Sequence, residues 1–246
     1  MRSLSPFREN TERAQTKYRH ELKYIISFTV YHELSTVLGA LMPHDRHAGP
    51  KGEYNIRSLY FDDMYRTAYE EKLDGVEVRK KYRARIYNCS DGIISLECKH
   101  KNGPYIYKES IKLTRPEYDR MLCEDYGFLL KKDSPMAREF FVDARTNRIR
   151  PEVIVDYDRE PFVNDVGTVR ITFDKNVRAI SPGDDIFSKT APSFAVLPPG
   201  QMILEVKFTG RLPEKIRNIF RSYPLVQSSA SKFCLCADEL NHILGH

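Results

Sequence analysis

The stretch KYRARIYN, residues 81–88, alternates basic or polar side chains with apolar ones along its whole length. Side chains two residues apart on a β-strand point to the same face of the sheet. Lys81, Arg83 and Arg85 therefore share one face of a predicted strand. The opposite face carries Tyr82, Ala84 and Ile86. The stretch thus predicts a strand with one basic face and one apolar face.

The same alternation recurs in five further stretches: RHELKYI (19–25), ISLECKHK (94–101), YIYKESIKL (105–113), VRITFDKN (169–176) and MILEVKFTG (202–210). The residues on the polar face of these stretches are mostly lysine and arginine, with isolated carboxylates. The charged residues among them are Arg19, Glu21, Lys23, Glu97, Lys99, Lys101, Lys108, Lys112, Arg170, Asp174, Glu205 and Lys207. One strand departs from the pattern, because Arg159 shares its parity with Val153 and Val155.

β-Branched and aromatic residues concentrate in eight segments, each of which predicts a strand. The segments are 19–28, 53–62, 78–89, 93–101, 104–113, 150–162, 167–176 and 201–209. The turn Asn102-Gly103-Pro104 has hairpin chemistry and joins two of them. Residues 181–200 are rich in proline and glycine and predict a long loop.

Four helices are expected between or after these strands. Apolar residues recur at helical spacing from Val30 to Leu41. Thr114-Arg115-Pro116-Glu117 is a capping box that opens a second helix, and Ser134-Pro135 opens a third. The last helix is predicted to begin near Ser231. Long antiparallel strands with a few covering helices indicate an α+β or closed-barrel architecture and not a parallel sheet.

The amino-acid composition indicates a globular protein without a membrane span or a disulfide scaffold. The chain has 246 residues, 41% of them hydrophobic and 30% charged, with a net charge of +5, so one large core can form. No apolar run reaches the roughly 20 residues that span a bilayer, and the N-terminus has no apolar stretch typical of a secretory signal. Five scattered cysteines do not predict a disulfide scaffold or a zinc site. We expect a reduced, cytoplasmic, soluble protein, with a polar tail at 1–17 and a single domain over 18–246.

The basic faces allow two interpretations. A sheet with one solvated face explains any single strand. However, the predicted helices carry apolar sides that need the apolar strand faces as partners, and helices outside the sheet would turn the basic faces inward. Crowded like charges are costly without compensation, which a polyanion and a divalent metal ion would supply. Alternation alone leaves both interpretations open.

Taken together, the motifs resemble the VTC family, the polyphosphate polymerase branch of the triphosphate tunnel metalloenzymes (CYTH-like superfamily). They occur in the family's order over residues 17–244. The motifs are RHELKY, RSLYFDD, KYRARIYN, LECKHK, the Lys108 strand, DYDREPF, VRITFD, LEVKF and SSASKF. The resemblance implies a closed antiparallel β-barrel that forms a tunnel, with covering helices. It also implies the family's activity, which transfers the γ-phosphoryl group of ATP to a growing polyphosphate chain with Mn²⁺ or Mg²⁺.

The resemblance also implies the site residues. The basic residues of the tunnel would be Lys23, Arg83, Arg85, Lys99, Lys108, Arg159, Arg170, Lys207 and Lys232. All of them except Lys108 and Lys207 are also expected to act in catalysis. Glu205 is the implied metal ligand, with Glu21 as the second candidate. We expect Lys81, Lys101 and Lys112 to be solvated, and His100 to be a surface or packing residue.

Two features differ from related families. Tunnel hydrolases carry a Glu-x-Glu-x-Lys signature, whose first position is Arg19 here and whose second is Glu21. This difference argues against the hydrolase branch. Eukaryotic members also carry a sensor domain and transmembrane helices, and we expect neither in this protein.

Three functions therefore remain to be compared. The leading one is polyphosphate synthesis from ATP. The others are hydrolysis of triphosphate or nucleoside triphosphate in the same tunnel, and polyphosphate binding without catalysis. We expect ATP and polyphosphate as ligands, no nucleic acid, no direct membrane insertion, and a membrane protein as one conceivable partner.

Overall fold

Most strands and helices of the structure lie where the alternation and the capping motifs of the sequence predict them. A computed structural model describes residues 19–103, 105–164 and 169–245, so the predicted tail at 1–17 lies outside the described residues. Within these ranges the strands are β1 (Arg19–Ser27), β2 (Tyr54–Asp62), β3 (Val78–Tyr87), β4 (Ser90–Asn102), β5 (Tyr105–Leu113), β6 (Arg150–Val163), β7 (Val169–Ile180), β8 (Phe194–Ala195) and β9 (Gln201–Thr209). All eight predicted strands are confirmed, and the short β8 within the predicted loop is additional.

The described helices are α1 (Phe28–Gly39), α2 (Thr67–Leu73), α3 (Arg115–Leu122), α4 (Pro135–Thr146), α5 (Glu214–Arg221) and α6 (Lys232–Leu244), with a 3₁₀ turn at Gly127–Lys131. The predicted capping box of α3 is confirmed, since Thr114 Oγ1 accepts from the Glu117 amide and Glu117 accepts from the Thr114 amide. Ser134 caps α4 as predicted. Helices α2 and α5 were not predicted. No helix in the described ranges is long and apolar enough to cross a membrane.

One antiparallel sheet holds the strands together in the order β1-β9-β7-β6-β2-β3-β4-β5, with β8 beside β7. The sheet curls strongly. Lys99 on β4, next to one end of the order, donates a hydrogen bond of 3.2 Å to Glu21 on β1 at the other end. The concave face of the sheet is therefore enclosed on most sides.

The predicted closed barrel is wrong in one respect. In the part of the chain that the structure describes, β1 and β5 form no backbone ladder with each other, so hydrogen bonds do not close the sheet. Side-chain contacts such as Lys99–Glu21 bridge the gap instead. Strand β5 is an edge that carries Lys108 and Lys112, both exposed, and charged edge strands discourage further pairing.

Two apolar clusters cover the convex face of the sheet. One lies under α3 and α4 and contains Leu96, Ala84 and Phe140, all fully buried. The other lies under α1 and α5 and contains Leu38, Phe173 and Leu204, also fully buried. Because the helices occupy the outside, the charged parity of the strands points inward, as one of the two interpretations predicted.

A third apolar cluster lies on the concave face, where α6 fills one side of the interior. Phe233 and Ala237 of α6 pack there against Val153 and Val155 of β6. The inward face of β6 thus changes from apolar to charged along its length, and Arg159 belongs to the charged part. This explains why Arg159 shares its parity with two buried valines.

We predict that Phe140→Ala destabilises the fold by ~3–5 kcal/mol, because truncating a buried aromatic side chain leaves a cavity. Phe140 is fully buried and its ring packs edge-on against those of Phe61, Tyr82 and Tyr126, with centroids 4.8–5.4 Å away. Urea-induced unfolding measures the change.

The matched control is Val142→Ala on the same helix, where the side chain is 53% exposed. It should change the free energy of unfolding by less than about 0.5 kcal/mol. Equal effects of the two substitutions would contradict the role of Phe140 as a core residue.

Candidate functional site

Three adjoining cavities form a channel along the concave face. The wide mouth, of about 430 Å³, contains Tyr54, Arg170 and Lys108 in its wall. The central cavity, of about 90 Å³, lies between it and the basic mouth, of about 260 Å³. Glu21 and Lys99 line all three cavities. The shared walls join them into one channel that opens at two mouths.

The central cavity collects most of the residues that the resemblance implies. Nine of them line it: Glu21, Lys23, Arg83, Arg85, Lys99, Arg159, Glu205, Lys207 and Lys232. Lys108 and Arg170 lie in the wide mouth instead. Arg170 is held there by Asp45, at 2.8 Å, and by the Tyr54 hydroxyl, at 2.9 Å.

Two buried carboxylates anchor the cations on one wall. Asp174 accepts two hydrogen bonds from the Arg159 guanidinium, at 2.7 and 2.8 Å, and also contacts the Lys232 ammonium. Glu205 contacts Lys207 at 2.7 Å and Arg159 at 3.4 Å. The paired fork of Arg159 on Asp174 fixes the guanidinium geometrically as well as electrostatically.

Two further carboxylates, on β4 and β1, hold cations elsewhere along the channel. Glu97 contacts Arg83 at 2.6 Å and also accepts a hydrogen bond from Lys108. Glu21 contacts Lys23 at 3.3 Å and Lys99 at 3.2 Å. Each of these carboxylates therefore bridges two cations that would otherwise repel each other.

The ion pairs keep these acids charged in spite of burial. Burial alone would raise the pKa of Glu205, but Lys207 and Lys232 hold it well below its usual range. Burial likewise opposes ionisation of Asp174, whose pKa is nevertheless lowered by Arg159 and Lys232. At neutral pH the wall thus consists of ionised acids and their partner cations.

Positive charge remains in excess. Eight cations line the central cavity, and four carboxylates contact them: Glu21, Glu97, Asp174 and Glu205. Among the described residues, Arg85 and Lys81 are the two lining cations without a carboxylate partner. Arg85 donates to neutral groups, the Ser58 hydroxyl at 3.1 Å and the Tyr157 hydroxyl at 3.3 Å.

We expected Lys81 to be a solvated lysine, but the structure places it in the wall of the channel. Its ammonium lies inside the channel, 5.7 Å from the ring centroids of both Tyr60 and Phe233. Its parity, shared with Arg83 and Arg85, was the signal that could have placed it there. Lys112 is exposed as expected, and Lys101 lines the basic mouth.

Aromatic side chains of the central cavity were also missed. Tyr157 lies beneath two cations, with the Arg159 guanidinium 5.3 Å and the Lys232 ammonium 5.0 Å from its ring centroid. The Tyr60 hydroxyl accepts a hydrogen bond of 2.9 Å from Arg83. Burial alone would raise the pKa of Tyr60, but Arg83 and the other nearby cations lower it to about 7.

Helix α6 positions Lys232. Ser231 is its N-cap, and the Ser231 hydroxyl accepts from the Cys234 amide. Lys232, the first residue of the helix, consequently points into the central cavity toward Asp174. The sequence predicted this helix start near Ser231.

Candidate metal ligands occur in two places. Glu205 and Glu21 lie on neighbouring strands and both face the central cavity. Elsewhere, within the described ranges, His100, Glu109 and Glu139 have ligand atoms within 4.8 Å of one another. This second group lies outside the channel, where Lys80 already pairs with Glu139 at 2.5 Å.

The arrangement suits a linear polyanion. A chain of phosphates could lie along the channel, contact cations on both walls, and leave through either mouth. Arginine and lysine donors favour phosphate oxygens. Compact neutral ligands would gain nothing from the excess charge.

The sequence matches the family model described as "VTC domain" over residues 18–241. No protein of curated function matches the sequence.

The solved structures that resemble the fold include two candidate cyclases. A candidate adenylyl cyclase from Hippeastrum, with a dominant triphosphatase activity, superposes with a TM-score of 0.54 at 13% identity. The alignment covers 89% of this chain and 95% of that one. A candidate adenylate cyclase from Bacillus halodurans superposes with a TM-score of 0.51 at 12% identity, covering 87% and 93%. At such identities the likeness concerns the fold alone.

We predict that anion binding to the channel weakens as the pH rises from about 6 to about 9. Tyr60, with a pKa of about 7, gains a negative charge in this interval, and Lys81, with a pKa of about 8, loses a positive one. Both changes make the channel less attractive to an anion. Calorimetric titration with sulfate, whose charge is constant in this range, measures the affinity.

Tyr60→Phe should remove the part of the pH dependence centred near pH 7. The control is Tyr65→Phe, because the Tyr65 side chain is 75% exposed. A pH profile of Tyr60→Phe identical to that of the unaltered protein would contradict the ionisation of Tyr60.

Proposed function

Because the chain belongs to the VTC domain family, we propose that it is an ATP-dependent polyphosphate polymerase. In this reaction the γ-phosphoryl group of ATP is transferred to the end of a polyphosphate chain. ATP and polyphosphate are the proposed ligands, and nucleic acid is not among them. We also propose a cytoplasmic location.

The observation that carries the proposal is the channel with two mouths and an excess of positive charge. A polymerase must hold the donor and a long polyanionic acceptor in line at the same time. Two openings allow the two reactants to approach from opposite directions. A hydrolase needs one opening only, because water and orthophosphate are small.

The proposed reaction does not require the protein to transfer a proton. The terminal phosphate of the acceptor is already ionised, so no general base is required. Phosphoryl transfer depends mainly on alignment and on positive charge around the transferring group. Arg85 would bind phosphate oxygens directly, and Arg159 and Lys232 are held ready by Asp174.

The carboxylates of the central cavity fit a divalent cation. A hard cation bound to phosphates takes oxygen ligands and typically needs only one or two protein carboxylates. Glu205 and Glu21 provide that donor set, and Glu205 stays ionised although it is buried. We propose Glu205 as the ligand of Mn²⁺ or Mg²⁺, with Glu21 beside it. When bound, the ion would offset negative charge on the phosphates.

Hydrolysis of triphosphate is the second candidate. It is favoured by the Hippeastrum protein, which shares the fold and has a dominant triphosphatase activity. The two activities differ in product. Incubation of the purified protein with ATP and Mn²⁺ should yield a polymer that exopolyphosphatase degrades. Release of orthophosphate without polymer would support the triphosphatase, and binding without turnover would support a polyphosphate-binding protein.

We predict that Arg85→Met weakens the binding of a non-hydrolysable ATP analogue by roughly 10- to 100-fold. A charge-assisted hydrogen bond contributes about 1.5–3 kcal/mol, and Arg85 has no carboxylate partner that would compete for it among the described residues. Isothermal titration calorimetry measures the affinity. Arg221→Met, at an exposed position, removes the same charge outside the channel and should have no effect. Unchanged affinity in a folded Arg85→Met protein would exclude Arg85 from the nucleotide site.

We predict that Glu205→Gln lowers polymer formation at least about 100-fold, as expected when metal-dependent charge stabilisation is lost. Binding of metal-free ATP should stay the same or become tighter, because a negative charge leaves the cavity. Rates at several Mn²⁺ concentrations and calorimetry in EDTA separate the two effects. Glu214→Gln, at a side chain that is 77% exposed, is the control. If Glu205→Gln kept both its activity and its Mn²⁺ dependence, Glu205 would be only an ion-pair partner of Lys207.

A further inference from the structure

Lys81 differs from the other lysines of the central cavity in what it contacts. Lys23 and Lys99 share Glu21, Lys207 pairs with Glu205, and Lys232 pairs with Asp174. Among the described residues, no carboxylate oxygen lies within 4 Å of the Lys81 ammonium. The ammonium therefore lies in a partly enclosed place with no carboxylate contact that would balance its charge.

Two aromatic rings hold the Lys81 side chain instead. Its ammonium lies 5.7 Å from the centroids of Tyr60 and Phe233, which stack on each other at 5.0 Å. Below about pH 7, where Tyr60 keeps its proton, both aromatic rings attract the cation without neutralising its charge. Arg83 in turn donates to the Tyr60 hydroxyl, so the platform is fixed. The arrangement therefore positions a cation that can bind an anion.

The position of Lys81 along the channel differs from that of the arginines. Arg83, Arg85 and Arg159 line the central cavity and the wide mouth. Lys81 lines the central cavity and the basic mouth. A phosphate at Lys81 therefore lies on the far side of the central cavity from the wide mouth.

The two mouths suit different parts of the reactants. Rings of His20, Tyr54, Tyr87 and Tyr107 line the wide mouth and offer surfaces on which a nucleoside can stack. The basic mouth lacks such rings in its described wall. It carries seven cations and one carboxylate: Lys23, Lys72, Arg79, Lys80, Lys81, Lys99 and Lys101, with Glu21. A chain of phosphates fits the basic mouth better than a nucleoside does.

We propose that Lys81 binds a phosphate of the polymer beyond the triphosphate held at the arginines, and thereby distinguishes long polyphosphate from triphosphate. The inference rests on the proposed function, because it assumes that the channel holds polyphosphate. Burial lowers the pKa of Lys81 to about 8; Tyr60 opposes this shift, and Lys99, Lys23 and Arg83 add to it. A phosphate at this point would compensate the crowded positive charge.

The test compares two ligands in direct binding measurements without ATP: tripolyphosphate and a polyphosphate of several tens of phosphates. Lys81→Met should weaken binding of the long chain about tenfold or more, the loss expected for one charge-assisted contact. Its affinity for tripolyphosphate should stay within about twofold. Lys81→Arg should restore most of the loss, because it keeps the charge.

The control is Lys112→Met on β5, which removes one positive charge at an exposed position that lines none of the three cavities. It should leave both affinities unchanged, and thermal unfolding verifies that each variant is folded. Equal losses for both ligands would overturn the proposal, as would undiminished binding of the long chain in Lys81→Met. The readout is binding, so a protein that makes no polymer from ATP could still show the selective loss. The proposed function and this inference can therefore fail separately.

Discussion

The repulsion among cations inside a curled sheet is the constraint on which the rest of the structure depends. Eight positive side chains line a cavity of about 90 Å³, where uncompensated charges would oppose folding. Four carboxylates placed between them turn repulsion into a network, because Glu21, Glu97 and Asp174 each contact two cations. The carboxylates do not balance all of the positive charge, and the cations without a carboxylate contact among the described residues are Arg85 and Lys81.

The distribution of apolar surface follows from the same constraint. Since the interior is charged, the sheet must bury its apolar face outside, against α1, α3, α4 and α5. On the concave side, Ala68 and Tyr69 of α2 and the helix α6 cover the apolar ends of the strands. The N-terminus of α6 then reaches the charged part, which is how Lys232 comes to contact Asp174. One element therefore completes both the core and the site.

Alternation in the sequence predicted the strands and the face on which each charge lies, because side-chain parity is a local property of an extended chain. It could not predict how far the sheet curls, since closure depends on whether β1 and β5 meet, and side chains bridge that gap here. The sequence did not explain why Arg159 shares a strand face with buried valines. The structure does, because α6 covers the apolar part of that face and the charged part lines the cavity. Lys81 had the right parity, but parity alone does not say whether a lysine on that face of β3 is covered by the rest of the chain.

The carboxylates that stabilise the basic wall need not be displaced when an anion binds. A lysine ammonium has three donors and an arginine guanidinium has five, so a cation held by one carboxylate keeps donors for a phosphate. Arg159 uses two donor nitrogens on Asp174 and is fixed before any ligand arrives. Ordering side chains on binding costs free energy, and that cost is smaller where they are already held. The acidic partners thus make the basic wall both stable and preorganised, whereas Arg85 and Lys81 retain the unbalanced charge that attracts a polyanion.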